Sequence, residues 1–79
     1  MIKRKSRLSD MNTGKSGVII SVDGGKKTVD QLDSIGVRIG AHIIKKASLA
    51  GKGPLVVQTA NTEVAIGYLT ARKIWVEVD

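Results

Sequence analysis

The sequence contains no cysteine and no phenylalanine, and its 79 residues include one histidine, one tryptophan and one tyrosine. Without cysteine the chain cannot form a disulfide, a zinc ribbon or a cysteine-ligated iron–sulfur cluster. Long apolar runs are also missing. The longest purely apolar runs, such as residues 18–20, are far shorter than the ~20 residues of a membrane-spanning helix. No apolar stretch follows the basic start, so we predict no signal peptide and a cytoplasmic protein.

Residue types that carry chemistry are sparse. His42 is the single histidine, and no carboxylates are spaced to form a metal-ligand pair with it. A general base or a Ser–His–Asp arrangement would need a partner for this imidazole, and the sequence suggests none. We therefore predict no enzyme, with no catalytic, cofactor-binding or metal-binding residues, and expect His42 on the surface of a strand.

The positive charge is concentrated at the start of the chain. The net charge is +6, and residues 1–7 hold Lys3, Arg4, Lys5 and Arg7. Residues 8–79 hold nine basic and seven acidic side chains. We predict a flexible basic arm over residues 1–7 and one domain over residues 8–79. The arm is either a solvated tail or a contact for anionic lipid or RNA.

Short runs rich in valine, isoleucine and threonine alternate with glycines, which is typical of strands joined by brief turns. In the last run, Ile74, Val76 and Val78 alternate with Trp75 and therefore face the core while Trp75 faces outward. The same alternation leaves Ile19 outside, and it leaves Ile44 outside as well. The predicted strands span residues 16–22, 41–47, 55–60, 63–66 and 73–78.

One segment carries helical signals instead. Thr28 and Gln31 fit a capping box that would begin a short helix, which Gly36 would end in the left-handed conformation. Val29, Leu32 and Ile35 would face the core, and residues 67–70 can form a single helical turn. We predict an all-β (mainly β) fold: a small, SH3-like, partly open barrel of about five strands with one short helix inserted between the first two strands.

Trp75 carries the main signal for binding. An outward tryptophan is covered either by the chain's own N-terminal segment, through Leu8 and Met11, or by a partner, and Tyr68 can extend the same patch. The segment 24–27 is either a plain turn or an anion cradle at the helix start. The predicted partner-binding residues are Trp75, Tyr68, Lys26, Lys27, Val29 and Leu32.

Segments across residues 8–78 match a family pattern in order and spacing. They are Leu8–Met11 followed by Gly14, the run 32–40 (LDSIGVRIG), Leu49–Leu55 with its Gly53–Pro54 turn, and 64–66 followed by Ala71 and 74–78 (IWVEV). Together they resemble the ferrous iron transport protein A (FeoA) family, the small cytoplasmic accessory proteins of bacterial ferrous iron uptake.

The resemblance implies an SH3-like domain without enzymatic activity or cofactor. Its implied partner is the cytoplasmic GTP-binding domain of a membrane ferrous iron transporter, which the small protein modulates by docking. Weak self-association is compatible with this role, and the membrane would be met only indirectly or through the basic arm. A similar barrel occurs as the C-terminal module of metal-dependent repressors.

Two features depart from the family pattern. The helix, usually rich in arginine and leucine, reads DQLD over residues 30–33, and Lys45 stands where a second inward apolar residue is expected. Two alternative functions stay open: a nucleic-acid-binding barrel, for which only two stacking aromatics are present, and a metal-responsive regulatory module.

Overall fold

Six antiparallel strands form one sheet in the order β1-β6-β2-β3-β4-β5. The structure, a computed structural model, describes residues 3–49 and 51–79. The strands are β1 (Arg4–Arg7), β2 (Ser16–Val22), β3 (His42–Ser48), β4 (Leu55–Thr59), β5 (Thr62–Ile66) and β6 (Ile74–Val78). Helix α1 (Gly25–Asp33) lies between β2 and β3, and helix α2 (Tyr68–Ala71) precedes β6. The predicted mainly β fold with one short helix between the first two predicted strands is confirmed.

Strand β1 was not predicted. Residues 4–7 pair with β6 in the register Arg4 to Val78 through Arg7 to Trp75, so the domain boundary drawn at residue 8 falls inside paired structure. The backbone of β1 pairs with backbone groups along one side of β6, and this pairing does not depend on the side chains of β1. A 3₁₀ turn, Leu8–Asp10, follows directly and buries Leu8 completely.

Strand β2 differs from simple alternation. Ile19, predicted to lie outside, is fully buried, because the register between β2 and β6 shifts between Ile19 and Ser21. The extra residue of this bulge allows both Ile19 and Val22 to contact the core. Ile44 on β3 is half-buried and lies on the face opposite to the buried Ile43, as predicted.

Helix α1 begins four residues earlier than predicted, since its N-cap is Gly24 rather than Thr28. Gly24 is the N-cap residue at φ 107°, without a side-chain cap. Thr28 lies inside the helix, and its hydroxyl donates to the carbonyl oxygen of Gly24 at 3.1 Å. The glycine pair 24–25 reaches the left-handed region that this start requires, with φ 79° at Gly25. Gly36 is left-handed as predicted, at φ 89°.

The core lies between the sheet, the 3₁₀ turn and the two helices. In β6, Ile74 and Val76 are fully buried, as the alternation predicted, whereas Val78 is half-buried. The buried apolar residues form one cluster: Leu8, Met11, Ile19, Leu32, Val37, Ile43, Leu55, Val57, Ile66, Ala71, Ile74 and Val76.

One charged side chain enters this core. Lys45 points inward from β3 and is 3% exposed. Its Nζ donates hydrogen bonds to the carbonyl oxygens of Leu8 (3.3 Å), Ser9 (3.2 Å) and Met11. Burial lowers the pKa of Lys45 below its ordinary 10.5, an effect that the negative charge of Asp10 partly offsets. The lysine thus ties the 3₁₀ turn to the sheet.

Candidate docking face

Trp75 is half-buried on the outer face of β6, and the chain itself covers part of it. The guanidinium of Arg7, its register partner on β1, lies 5.0 Å from the ring centroid. The indole Nε1 donates to Oδ2 of Asp23 at 3.1 Å. The N-terminal segment therefore does cover Trp75, through Arg7, whereas Leu8 and Met11 belong to the core instead.

Helix α2 presents a second aromatic and an apolar tip. Tyr68 begins the helix and is half-buried, with the Nζ of Lys52 6.0 Å from its ring centroid. Leu69, the next residue, is 71% exposed. The four side chains of a single helical turn point in different directions around the helix axis, so they cannot all be buried against the sheet.

Contacts connect these residues into one surface. A hollow of about 370 Å³ is lined by Arg7, Leu69, Arg72 and Lys73. Leu69 also lines a second hollow, of about 460 Å³, together with Tyr68 and Lys52. We define the Leu69 strip as the following residues, which run from one aromatic to the other: Trp75, Arg7, Arg72, Lys73, Leu69, Tyr68 and Lys52.

The predicted residues of helix α1 divide between surface and core. Lys26 and Lys27 are exposed, and Lys26 forms an ion pair with Asp30 at 2.7 Å. Val29 is half-buried. Leu32 is 4% exposed and packs in the core cluster, so its side chain has no surface to offer a partner. Asp23, which binds Trp75, immediately precedes Gly24 and so brings the start of α1 next to the strip.

The sequence alone did not single out Arg7, Leu69, Arg72 or Lys52. The signal that was available is the exposed tip of the helical turn predicted over residues 67–70, which contains Leu69 and precedes the basic pair 72–73. What the sequence could not supply is the position of Arg7, because the pairing of β1 with β6 joins residues far apart in the chain.

A wider groove lies on another part of the surface. It has a volume of about 770 Å³ and runs between the end of α1 and the hairpin of β4 and β5. Its lining includes Ile35, Arg38 and His42. Ile35 is 41% exposed, so it faces this groove rather than the core, contrary to the prediction.

His42 lies on the exposed surface of β3, as predicted. Its Nε2 lies 3.0 Å from Oδ2 of Asp79, which also accepts a hydrogen bond from the hydroxyl of Ser16 at 2.7 Å. The residues that the structure describes contain no group of three or more histidine, aspartate or glutamate side chains arranged to hold a metal ion.

These contacts predict a small acid dependence of stability. The hydrogen bonds from His42 and Ser16 lower the pKa of Asp79 from its ordinary 3.8. The unfolded chain therefore takes up this proton at higher pH than the folded chain, so the stabilisation is present above pH 3.8 and is lost as pH falls through the lowered pKa. Urea titrations from neutral to acid pH should show a shallower loss of stability in Asp79→Asn than in the wild type, and parallel curves would contradict this.

The geometry defines a class of protein: a small β domain in which helix α2 and the outer face of β6 carry a basic, aromatic surface. The FeoA domain family model matches residues 6–78, and the chain belongs to the FeoA family, which is associated with ferrous iron transport. The resemblance drawn from the sequence is thereby confirmed. No curated protein sequence matches the chain significantly.

Solved structures of related proteins share the fold. An iron uptake regulatory protein (FeoA) is 28% identical with a TM-score of 0.89, over 96% of this chain and 100% of that one. FeoA from Stenotrophomonas maltophilia, solved with zinc, is 26% identical with a TM-score of 0.70, over 91% and 87% of the two chains. That protein is described as an SH3 domain protein and a candidate activating factor of ferrous iron transport. The SH3-like fold predicted from the sequence is confirmed.

A manganese-dependent transcriptional repressor shares the fold at lower identity. It is 19% identical with a TM-score of 0.86, and the match covers 99% of this chain but 38% of the repressor. The domain architecture therefore occurs both as an independent protein and as a part of a larger one. Among residues 3–49 and 51–79, no helix is long and apolar enough to cross a membrane.

Proposed function

We propose that this protein is a non-catalytic accessory of ferrous iron uptake that acts in the cytoplasm, where it docks on the GTP-binding domain of the membrane iron transporter and modulates it. The match to the FeoA domain over residues 6–78 carries this proposal. The likeness to the S. maltophilia protein, described as a candidate activating factor of ferrous iron transport, supports it.

The surface supports a docking role for the outside of the domain. Trp75 and Tyr68 are half-buried aromatics on one continuous strip, and such residues supply much of the energy of protein interfaces. Lys26 and Lys27 follow Asp23, the hydrogen-bond partner of Trp75, within one turn of α1. They extend the proposed contact surface, with Val29 at its margin. Leu32 is excluded by its burial.

Docking modulates a GTPase only if the affinity differs between its nucleotide states. The domain would bind one state of the transporter more tightly and so raise the population of that state. The size of the effect is limited by the ratio of the two affinities. Binding measured with the transporter domain loaded with GDP and with a non-hydrolysable GTP analogue should therefore give two different dissociation constants.

Replacing Trp75 with alanine tests the contact surface. We expect Trp75→Ala to weaken binding to the isolated cytoplasmic domain of the transporter at least about tenfold, because the change removes the largest aromatic of the surface. Calorimetry measures the dissociation constants, and Lys46→Ala, an exposed change elsewhere on β3, is the matched control. An amide NMR spectrum establishes that both variants are folded. No binding of the wild type at micromolar concentration would contradict the proposed function.

A further inference from the structure

The apolar centre of the Leu69 strip is conspicuous because of its exposure. Five large apolar side chains among the described residues are exposed, and Leu69 has the highest exposed fraction, 71%. It lies at the second position of α2, and both hollows of the strip border on it. An apolar side chain so placed gains free energy when a partner removes it from water.

The groups around Leu69 are positive. The first hollow is lined by Arg7, Arg72 and Lys73, and the second contains Lys52; no carboxylate lines either hollow. None of these four cations forms an ion pair within residues 3–49 and 51–79. Four carboxylates are paired elsewhere: Asp30 with Lys26, Asp33 with Arg38, Glu77 with Lys3 and Asp79 with His42. Asp23, which accepts a hydrogen bond from Trp75 at one end of the strip, offsets at most one of the four positive charges. The strip therefore keeps a net positive charge.

Arg7 is also incompletely bonded. Its guanidinium lies over the ring of Trp75, and its Nε is buried without a hydrogen-bond partner among the described residues. A buried donor left unpaired costs free energy. If the Arg7 guanidinium turned away from the Trp75 ring, a carboxylate in the first hollow could accept its hydrogen bonds.

The shape of the Leu69 strip favours a protein as the binding partner. Leu69 stands between two hollows of about 370 and 460 Å³, a shape that a flat lipid surface does not complement. A nucleic acid would supply phosphates and bases, but the ring of Trp75 is already covered by Arg7 on one side. A protein segment can place a carboxylate in each hollow and an apolar surface over the leucine.

We propose that the Leu69 strip binds an acidic protein segment in which carboxylates flank an apolar contact for Leu69. This inference rests on the proposed function and deepens it, since it names the chemistry of the partner surface. Charge complementarity of this kind accelerates encounter and selects the partner, while the apolar contact supplies affinity. Binding should therefore weaken as salt rises, because salt screens exposed charges.

The test uses the full chain, isotopically labelled, and two probes. One probe is a short synthetic peptide of alternating glutamate and leucine, with a matched peptide in which lysine replaces glutamate. The second is the cytoplasmic domain of the transporter. We expect amide shifts at residues 7, 52 and 68–75 with the acidic peptide and none with the lysine peptide. Leu69→Asp and the double change Arg72→Glu with Lys73→Glu should each weaken both interactions at least about tenfold.

Controls separate this inference from the proposed function. Lys46→Glu reverses an exposed charge that lines neither hollow and should leave both affinities unchanged. If the domain binds but the acidic peptide does not shift the strip, the inference fails and the proposed function stands. If the peptide binds at the strip and the domain does not bind, the inference stands and the proposed function fails. Binding of phosphatidylglycerol vesicles or of an oligonucleotide at the strip, without binding of the acidic peptide, would overturn the inference.

Discussion

Replacing Lys45 with methionine is expected to lower the free energy of unfolding by about 1 to 3 kcal/mol, the range for carbonyl groups left unpaired in a core. Methionine retains the length and the apolar character of the lysine stem but cannot donate a hydrogen bond. Lys45→Ala also removes the stem and should cost about 2 kcal/mol more, because a cavity remains. A domain of this size has a total stability of about 4 to 12 kcal/mol, so the alanine variant approaches unfolding.

The large effect follows from what Lys45 holds. Its Nζ donates hydrogen bonds to the carbonyl oxygens of Ser9 and Met11, which the 3₁₀ turn itself leaves without a partner. That turn buries Leu8 completely and precedes Met11, which is also in the core. Without the lysine, the turn loses its attachment to β3, and the packing of Leu8 is weakened with it.

Urea titration measures both variants, with fluorescence of Trp75, the single tryptophan, as the probe. Lys46→Met is the matched control: the neighbouring lysine of the same strand is exposed, so the change should alter stability by less than about 0.5 kcal/mol. A Lys45→Met variant as stable as the wild type would show that the hydrogen bonds of Nζ only offset the desolvation of its charge.

The pH dependence of this difference provides a second measurement. The folded chain releases the proton of Lys45 at lower pH than the unfolded chain does, whose pKa is the ordinary 10.5. Between the lowered pKa and 10.5 the unfolded state binds more protons, so the stability of the wild type rises with pH relative to Lys45→Met. Other lysines titrate in both proteins, and their contributions cancel in the comparison. A difference that stays constant up to pH 10.5 would contradict the lowered pKa.

The strands that could be predicted are those whose signals are local. Glycine-bounded runs of β-branched residues gave β2 with its observed bounds, and the later strands were placed within one residue at either end. Alternation in β6 correctly placed Ile74 and Val76 inside. In these segments propensity, turn residues and the apolar pattern agree, and such agreement makes a local prediction reliable.

Two of the errors have a nonlocal cause, and the third, at the start of α1, has a local one. β1 is rich in basic residues and forms a strand because β6 offers an edge, a fact that no local pattern contains. Ile19 is buried because of a bulge opposite β6. The prediction that Thr28 caps the helix is wrong because Gly24 and Gly25 adopt the left-handed conformation, which allows the helix to start earlier.

The candidate docking face was predictable in part for the same reason. Trp75 and Tyr68 were identified because aromatics are rare in this chain and one of them lies outside the apolar set of β6. The cations of the strip were not, since Arg7 reaches Trp75 only through the pairing of β1. Leu32 was predicted both to face the core and to bind a partner; its burial confirms the first prediction and leaves no surface for the second.

Gly17→Ala is expected to lower the free energy of unfolding by about 3 kcal/mol or more, at the upper end of the range for overpacked cores. Gly17 lies in the part of β2 that pairs with β6, and Val78 is its register partner. A methyl group there would lie 2.9 Å from the carbonyl carbon of Glu77 and 2.7 Å from Cγ1 of Val76, in addition to colliding with the carbonyl oxygen of Glu77. The φ angle of Gly17 is not positive, so the cost comes from this collision alone.

The collision cannot be relieved cheaply because most of it involves backbone. β6 is paired on both sides, with β1 and with β2, so its backbone cannot retreat without breaking hydrogen bonds of one pair. Gly67→Ala is the matched control: nothing lies within 4 Å of the added methyl group, and φ is −62°. That change should leave stability unchanged or raise it by up to about 1 kcal/mol, by restricting the unfolded chain. Equal urea midpoints for the two variants would mean that β2 and β6 separate far more easily than their pairing implies.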